Sequence, residues 1–145
     1  MRTRTAALAA LIALAPFFAT ACAVLFPTSP EAKLHDSQLH YTQCVRWANF
    51  EKAQGYVAQE ARKEFQARAV ELGGLRFTDY RLLSVDLGPD KKSATAHVTY
   101  IAYRPASPVA VAFDEEQRWE LKDGNWVVTP VLTAERPAQP GEVIF

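Results

Sequence analysis

Two periods govern the order of apolar and polar residues along this chain of 145. Between Glu31 and Leu72 the apolar side chains recur at helical spacing. Tyr41, Cys44, Val45 and Ala48 stand at i, i+3, i+4 and i+7, and Phe50, Ala53 and Val57 repeat the stripe after Asn49 interrupts it. Asp36 or Ser37 is the predicted N-cap of the first helix, and Gly55 weakens the last turn of the second. A third helix is predicted within Ala58 to Leu72, with Ala61, Phe65, Ala69 and Leu72 on one face and a Glu64–Arg68 pair on the solvent side. Gly73-Gly74 stops it.

After Gly74 the period falls to 2, the repeat of strands. Four are predicted: Leu75 to Leu87, Ser93 to Arg104, Val109 to Lys122 and Trp126 to Leu132. They are separated by Gly88-Pro89-Asp90-Lys91-Lys92, Pro105-Ala106-Ser107-Pro108 and the tight turn Asp123-Gly124-Asn125. In the second strand Ala94, Ala96, Val98, Tyr100 and Ala102 share one face; Thr95, His97, Thr99, Ile101 and Tyr103 share the other. In the third, Val111, Phe113, Glu115, Gln117, Trp119 and Leu121 lie opposite Asp114, Glu116, Arg118 and Glu120. The run Asp114-Glu115-Glu116 reads as a solvated edge or a bulge. Helices first and antiparallel strands after them define an α+β domain, its helices packed on one face of a meander over residues 34–132. Residues 133–145, with Pro137 and Pro140, read as a loose tail.

Ahead of the domain, Arg2 and Arg4 precede the uncharged run Thr5 to Thr20, short for a membrane span and of the length of a secretory signal, so residues 1–21 read as a signal peptide. Ala19-Thr20-Ala21-Cys22 resembles the lipobox of bacterial lipoproteins. The resemblance implies a diacylglyceryl group on Cys22 and attachment to a membrane through fatty chains. Ala19 and Ala21 also satisfy an ordinary A-x-A cut after Ala21. Ala23 stands where an Asp would resemble an inner-membrane retention signal, so the expectation is the periplasmic face of the outer membrane in a Gram-negative bacterium. Residues 22–33 then read as the lipidated cysteine and a tether, stiffened at Pro27 and Pro30.

Charge and cysteines narrow the partners. Lys and Arg number 16 against 16 Asp and Glu; removing Arg2 and Arg4 leaves 14 against 16, with no basic excess to favour nucleic acid. With Cys22 lipidated, Cys44 is alone and reads as a small buried hydrophobe, so neither a disulfide nor a cysteine metal site is expected. His35 and His40 lack a third ligand nearby, and no phosphate loop or nucleophile elbow occurs. No cofactor or metal is expected.

The segment Gln117-Arg118-Trp119-Glu120-Leu121-Lys122-Asp123-Gly124-Asn125-Trp126-Val127-Val128, behind helices joined at Trp47-Ala48-Asn49-Phe50, resembles the NTF2-like or SnoaL-like cone. That resemblance implies a cavity between helices and curved sheet. Enzymes on the fold use a carboxylate or His base with a Tyr or a second acid as hydrogen-bond donor in an apolar pocket. On it, Asp79, Tyr80, His97, Tyr100, Tyr103 and Trp119 are the candidate pocket residues. None falls in a catalytic motif. Thr78 and Asp79 also read as satisfying backbone groups where the chain enters the sheet, Tyr80 as packing on a helix, and His97 as a surface side chain. The expectation is a non-catalytic envelope lipoprotein that binds a protein partner or supports the envelope. The alternatives are a carrier of a small apolar ligand or lipid and a small isomerase-like enzyme.

Overall fold

The computed structural model describes residues 29–107 and 109–142. The leader, Cys22, most of the expected tether, Pro108 and the last three residues lie outside them. The elements are α1 (Pro30–Arg46), α2 (Phe50–Gln54), a 3-10 turn (Gln59–Ala61), α3 (Arg62–Leu72), β1 (Arg76–Leu87), β2 (Ser93–Tyr103), β3 (Ala110–Lys122), β4 (Asn125–Leu132) and β5 (Arg136–Pro137). Among the described residues no helix is long and apolar enough to cross a membrane.

The first helix starts earlier than its predicted cap. Ser29 accepts from the Ala32 amide at 3.2 Å, Pro30 occupies the first turn, where a missing N–H costs nothing, and Glu31 faces the positive end of the helix. Pro30 therefore opens α1 rather than extending a tether. Trp126 Nε1 donates to the Pro30 carbonyl at 2.8 Å, and at the other end Arg46 donates to the carbonyls of Phe77 and Thr78. The helix thus crosses the sheet from β4 to β1. Ala48 adopts φ 53° where the helix ends, and Asn49 caps α2 through its side-chain oxygen on the Lys52 amide. Val57 lies beyond α2, in a single parallel bridge to Val128 that covers part of the free edge of β4. On α3 Arg68 pairs with Glu71 at 3.8 Å, not with Glu64 as predicted.

The strands run in the order β1-β2-β3-β4, all antiparallel, with β5 continuing beside β3. Asp123 (φ 51°) and Gly124 (φ 78°) form the two-residue β3–β4 turn, whose left-handed pair of angles matches the twist of the strands it joins. The inner face alternates as predicted. Ala94 and Ala96 of β2 stand beside Trp119 and Gln117 of β3, small against large, so the helices can seat closely on the sheet.

The expected loose tail is docked over its described part. Thr133 exchanges hydrogen bonds with Asp114, β5 pairs with Val111 and Ala112, and the chain then crosses the outer face until the Gly141 carbonyl meets Arg81 on β1. Proline rarity in central strands argues against pairing here, yet Pro137 lies at an edge, where its absent N–H is not needed.

Candidate functional site

The inner face of β3 reads Val111, Phe113, Glu115, Gln117, Trp119, so two polar side chains interrupt an apolar stripe in the centre of the domain. No bulge accompanies them: β3 keeps an unbroken register with β2 and lies between β2 and β4. The solvated-edge expectation for Asp114-Glu115-Glu116 is therefore corrected for its middle member. Regular alternation turns Glu115 inward, where it is 5% exposed.

Burying a carboxyl is costly unless donors surround it. Tyr100 donates to Glu115 Oε1 at 3.2 Å, Tyr41 to Oε2 at 3.2 Å and Gln117 Nε2 to Oε1 at 2.9 Å. Gln117 is held in turn: its amide also reaches Thr42 at 3.0 Å, and its oxygen accepts from Trp119 Nε1 at 3.2 Å and from Gln38 at 3.3 Å. Every fully buried side-chain N or O among the described residues has a partner. Burial raises the Glu115 carboxyl from its ordinary 4.5 to about 7, against the pull of its three donors, and among the described residues no cation is its partner. The same burial, beside that carboxyl, pushes the Tyr41 and Tyr100 hydroxyls well above their usual range.

Around this network the cone is filled. Trp119 meets Tyr41 edge-on at 5.9 Å between ring centroids, Phe77 meets Tyr100 likewise at 5.9 Å, and Phe65 bridges Tyr41 and Phe50. A cleft of about 110 Å³ lies between α3 and the β3–β4 side of the sheet. Glu115, Phe65, Leu72 and Leu132 line it, as do Glu64 and Arg68.

The candidate pocket residues do not converge. Tyr100 and Trp119 lie inside, both fully buried, as hydrogen-bonding members of the core. His97 is on the opposite face, next to Ser84 and Glu116, and Tyr103 is exposed at the end of β2. Asp79 accepts from the Tyr80 amide at 2.8 Å, as expected where the chain enters the sheet, and Tyr80 packs against the core. Asp79 and Tyr80 also line an outer hollow of about 260 Å³ with Arg81, Thr99, Arg136 and Glu142. Arg136 there clamps Asp114 (3.0 Å) and Glu142 (2.8 Å), and its hydrogen bonds hold Asp114 below the usual carboxylate range and Glu142 at about 2. Cys44 packs against the core but is only partly buried, where a buried position was expected. Among the described residues no group of His, Cys, Asp and Glu could hold a metal ion.

Sequence reasoning missed Glu115 as a central group. The signal was present: polar residues at i and i+2 inside an apolar face, which can be satisfied only by partners from other elements. Those partners, Tyr41 and Thr42, lie about seventy residues earlier, beyond the reach of local pattern.

No family model and no curated protein matches the chain. Solved structures do. A ketosteroid isomerase-like protein from Erwinia carotovora atroseptica superposes with a TM-score of 0.57 at 13% identity, over 68% of this chain and 89% of that one. A SEC-C motif containing protein from Rhodopseudomonas palustris gives 0.50 at 14% identity, over 77% and 80%. Helices on one face of a curved antiparallel sheet, with this match, place the domain in the NTF2-like, ketosteroid isomerase-like fold.

Proposed function

We propose that the chain is a lipid-anchored protein of the outer membrane, facing the periplasm, whose domain binds a macromolecular partner through its surface and does no chemistry inside. The observation that carries the second part is the filled cone. Ligand pockets run from roughly 300 Å³ upward, and the inner cleft has about 110 Å³. The donors around Glu115 are spent on one another, leaving a core group where the fold's enzymes would need an open one. The anchor rests on Ala19-Thr20-Ala21-Cys22.

One observation favours a second reading, a small-ligand carrier or proton-transfer enzyme. Glu115 borders the cleft, and a carboxyl at about 7 can hold or release a proton near neutrality. Size weighs against it.

Native mass spectrometry of the protein extracted from membranes tests both parts in one spectrum. The expected result is a mature chain beginning at a diacylated Cys22 with no stoichiometric small molecule bound. An unlipidated N-terminus would remove the anchor. A stoichiometric organic ligand would replace the surface function with the carrier.

A further inference from the structure

β1 is the open edge of the sheet. Among the described residues its outward backbone groups pair with no strand, while the opposite edge is partly covered by the segment around Val57. Such an edge is a template for another strand, and most folds blunt it. Its start is blunted where Arg46 takes the carbonyls of Phe77 and Thr78, and the strand is irregular there, between Phe77 and Asp79, and again between Leu82 and Ser84. Beyond that point the edge carries exposed apolar side chains: Leu82 (41%), Leu83 (59%), Val85 (42%) and Leu87 (37%).

A bulge at Leu83 gives this stretch an unusual symmetry. Leu82 pairs with Val98 and Ser84 with His97, so Leu83 is the extra residue. Tyr80, Leu82, Val85 and Leu87 therefore stand opposite Tyr100, Val98, Ala96 and Ala94, all on the inner face and in one phase of backbone hydrogen bonding. Arg81 and Asp86, opposite Thr99 and Thr95, stand on the outer face. From Tyr80 to Leu87 the order of faces is the same read in either direction. In a regular strand an antiparallel twofold lying between two residues would set inward side chains against outward ones, because the period is 2. The bulge removes that conflict at the point between Leu83 and Ser84.

We propose that two copies of this chain join edge to edge through β1, antiparallel, with the twofold axis between Leu83 and Ser84. This register sets Leu82 opposite Val85 and Tyr80 opposite Leu87 on the inner face, twice each. On the outer face it sets Arg81 opposite Asp86, also twice. Cross-strand apolar and opposite-charge pairs are the stabilising units of a sheet. Arg81 donates through Nη2 to Gly141, and among the described residues the rest of its guanidinium has no other hydrogen bond and can meet the Asp86 carboxylate, which accepts from Ser84. The same register places Thr78 opposite Pro89. One has its carbonyl taken by Arg46 and the other lacks an N–H, so the paired segment ends at the same step on both sides. The proposal deepens the surface-binding reading by naming the partner as a second copy, and it can fail without it.

Charge exchange tests it. Arg81→Asp faces Asp86 with Asp in both pairs, Asp86→Arg faces Arg81 with Arg, and the double exchange restores opposite charge. Sedimentation equilibrium of the full-length chain in a non-ionic detergent is expected to give a dimer. Each single exchange should weaken it by about tenfold or more, and the double exchange should return most of the loss. Far-ultraviolet circular dichroism confirms that each variant is folded; where a single exchange unfolds, wild type against the double exchange decides. A wild-type monomer throughout, or a double exchange no tighter than the single ones, overturns the proposal. A monomer without bound ligand would leave the surface reading standing.

Discussion

Asp114 and Glu115 are neighbours on one strand and share a chemistry, yet the structure treats them oppositely. Asp114 faces outward, where Arg136 and Thr99 hold it ionised and its carboxyl lies below the usual range. Glu115 faces inward among neutral donors, and burial lifts it to about 7. The outer face is built from charge pairs that water can reach, and the inner face from one closed neutral network. Their responses to pH therefore have opposite sign. A raised native pKa means that the folded chain binds the extra proton between 4.5 and about 7, so the inner face loses stability as pH rises through that window. Depressed pKa values do the reverse: Asp114 and Glu142 contribute stability that is lost as pH falls below the ordinary carboxylate range toward about 2.

The sharpest way to break the contrast is to open the inner face. Trp119→Ala removes the largest fully buried side chain, strips Gln117 of a donor and leaves a cavity beside Tyr41. Chemical denaturation is expected to show a loss of about 3–5 kcal/mol. On the outer face the corresponding change is small. Arg136→Ala breaks the clamp on Asp114 and Glu142, but its groups are partly solvated, and the expected loss is about 1 kcal/mol or less. Its signature is local. The Ala138 amide, bonded to the Ala110 carbonyl at 3.1 Å, should exchange faster with deuterium while the amides of β2 keep their protection. Loss of protection throughout the sheet would show that the two faces are not independent.

How much of this was legible in the chain follows the range of the forces involved. Alternation along β2 and β3 depends on adjacent residues, and it sorted Ala94 to Ala102 and Val111 to Leu121 onto the correct faces. The switch from helical to strand period after Gly74 likewise sufficed for the α+β class. The N-terminal cap is ambiguous in the chain because Pro30 fits a spacer as well as a first turn, although Ser29-Pro30-Glu31 has the three residue types that a helix start favours. Glu115 was hidden by its flanks: two more acids made a local charge run, and only Tyr41, Tyr100 and Gln117, brought in by the tertiary fold, separate it from them. The docking of Thr133 to Glu142 depends on Arg136 meeting Asp114 across a gap of 22 residues, which no periodicity encodes.

The claim that the interior around Glu115 is a closed core shut off from water meets its most direct test in the pH dependence of unfolding. Free energies of unfolding for the wild type and for Glu115→Gln, measured between about pH 5 and about pH 8, isolate the buried carboxyl. The wild type should lose roughly 3 kcal/mol relative to the variant as pH rises through this range, since each unit of pKa difference is worth about 1.4 kcal/mol. Parallel profiles would contradict the account, because they would mean that Glu115 titrates as a hydrated carboxylate in a cleft open to water.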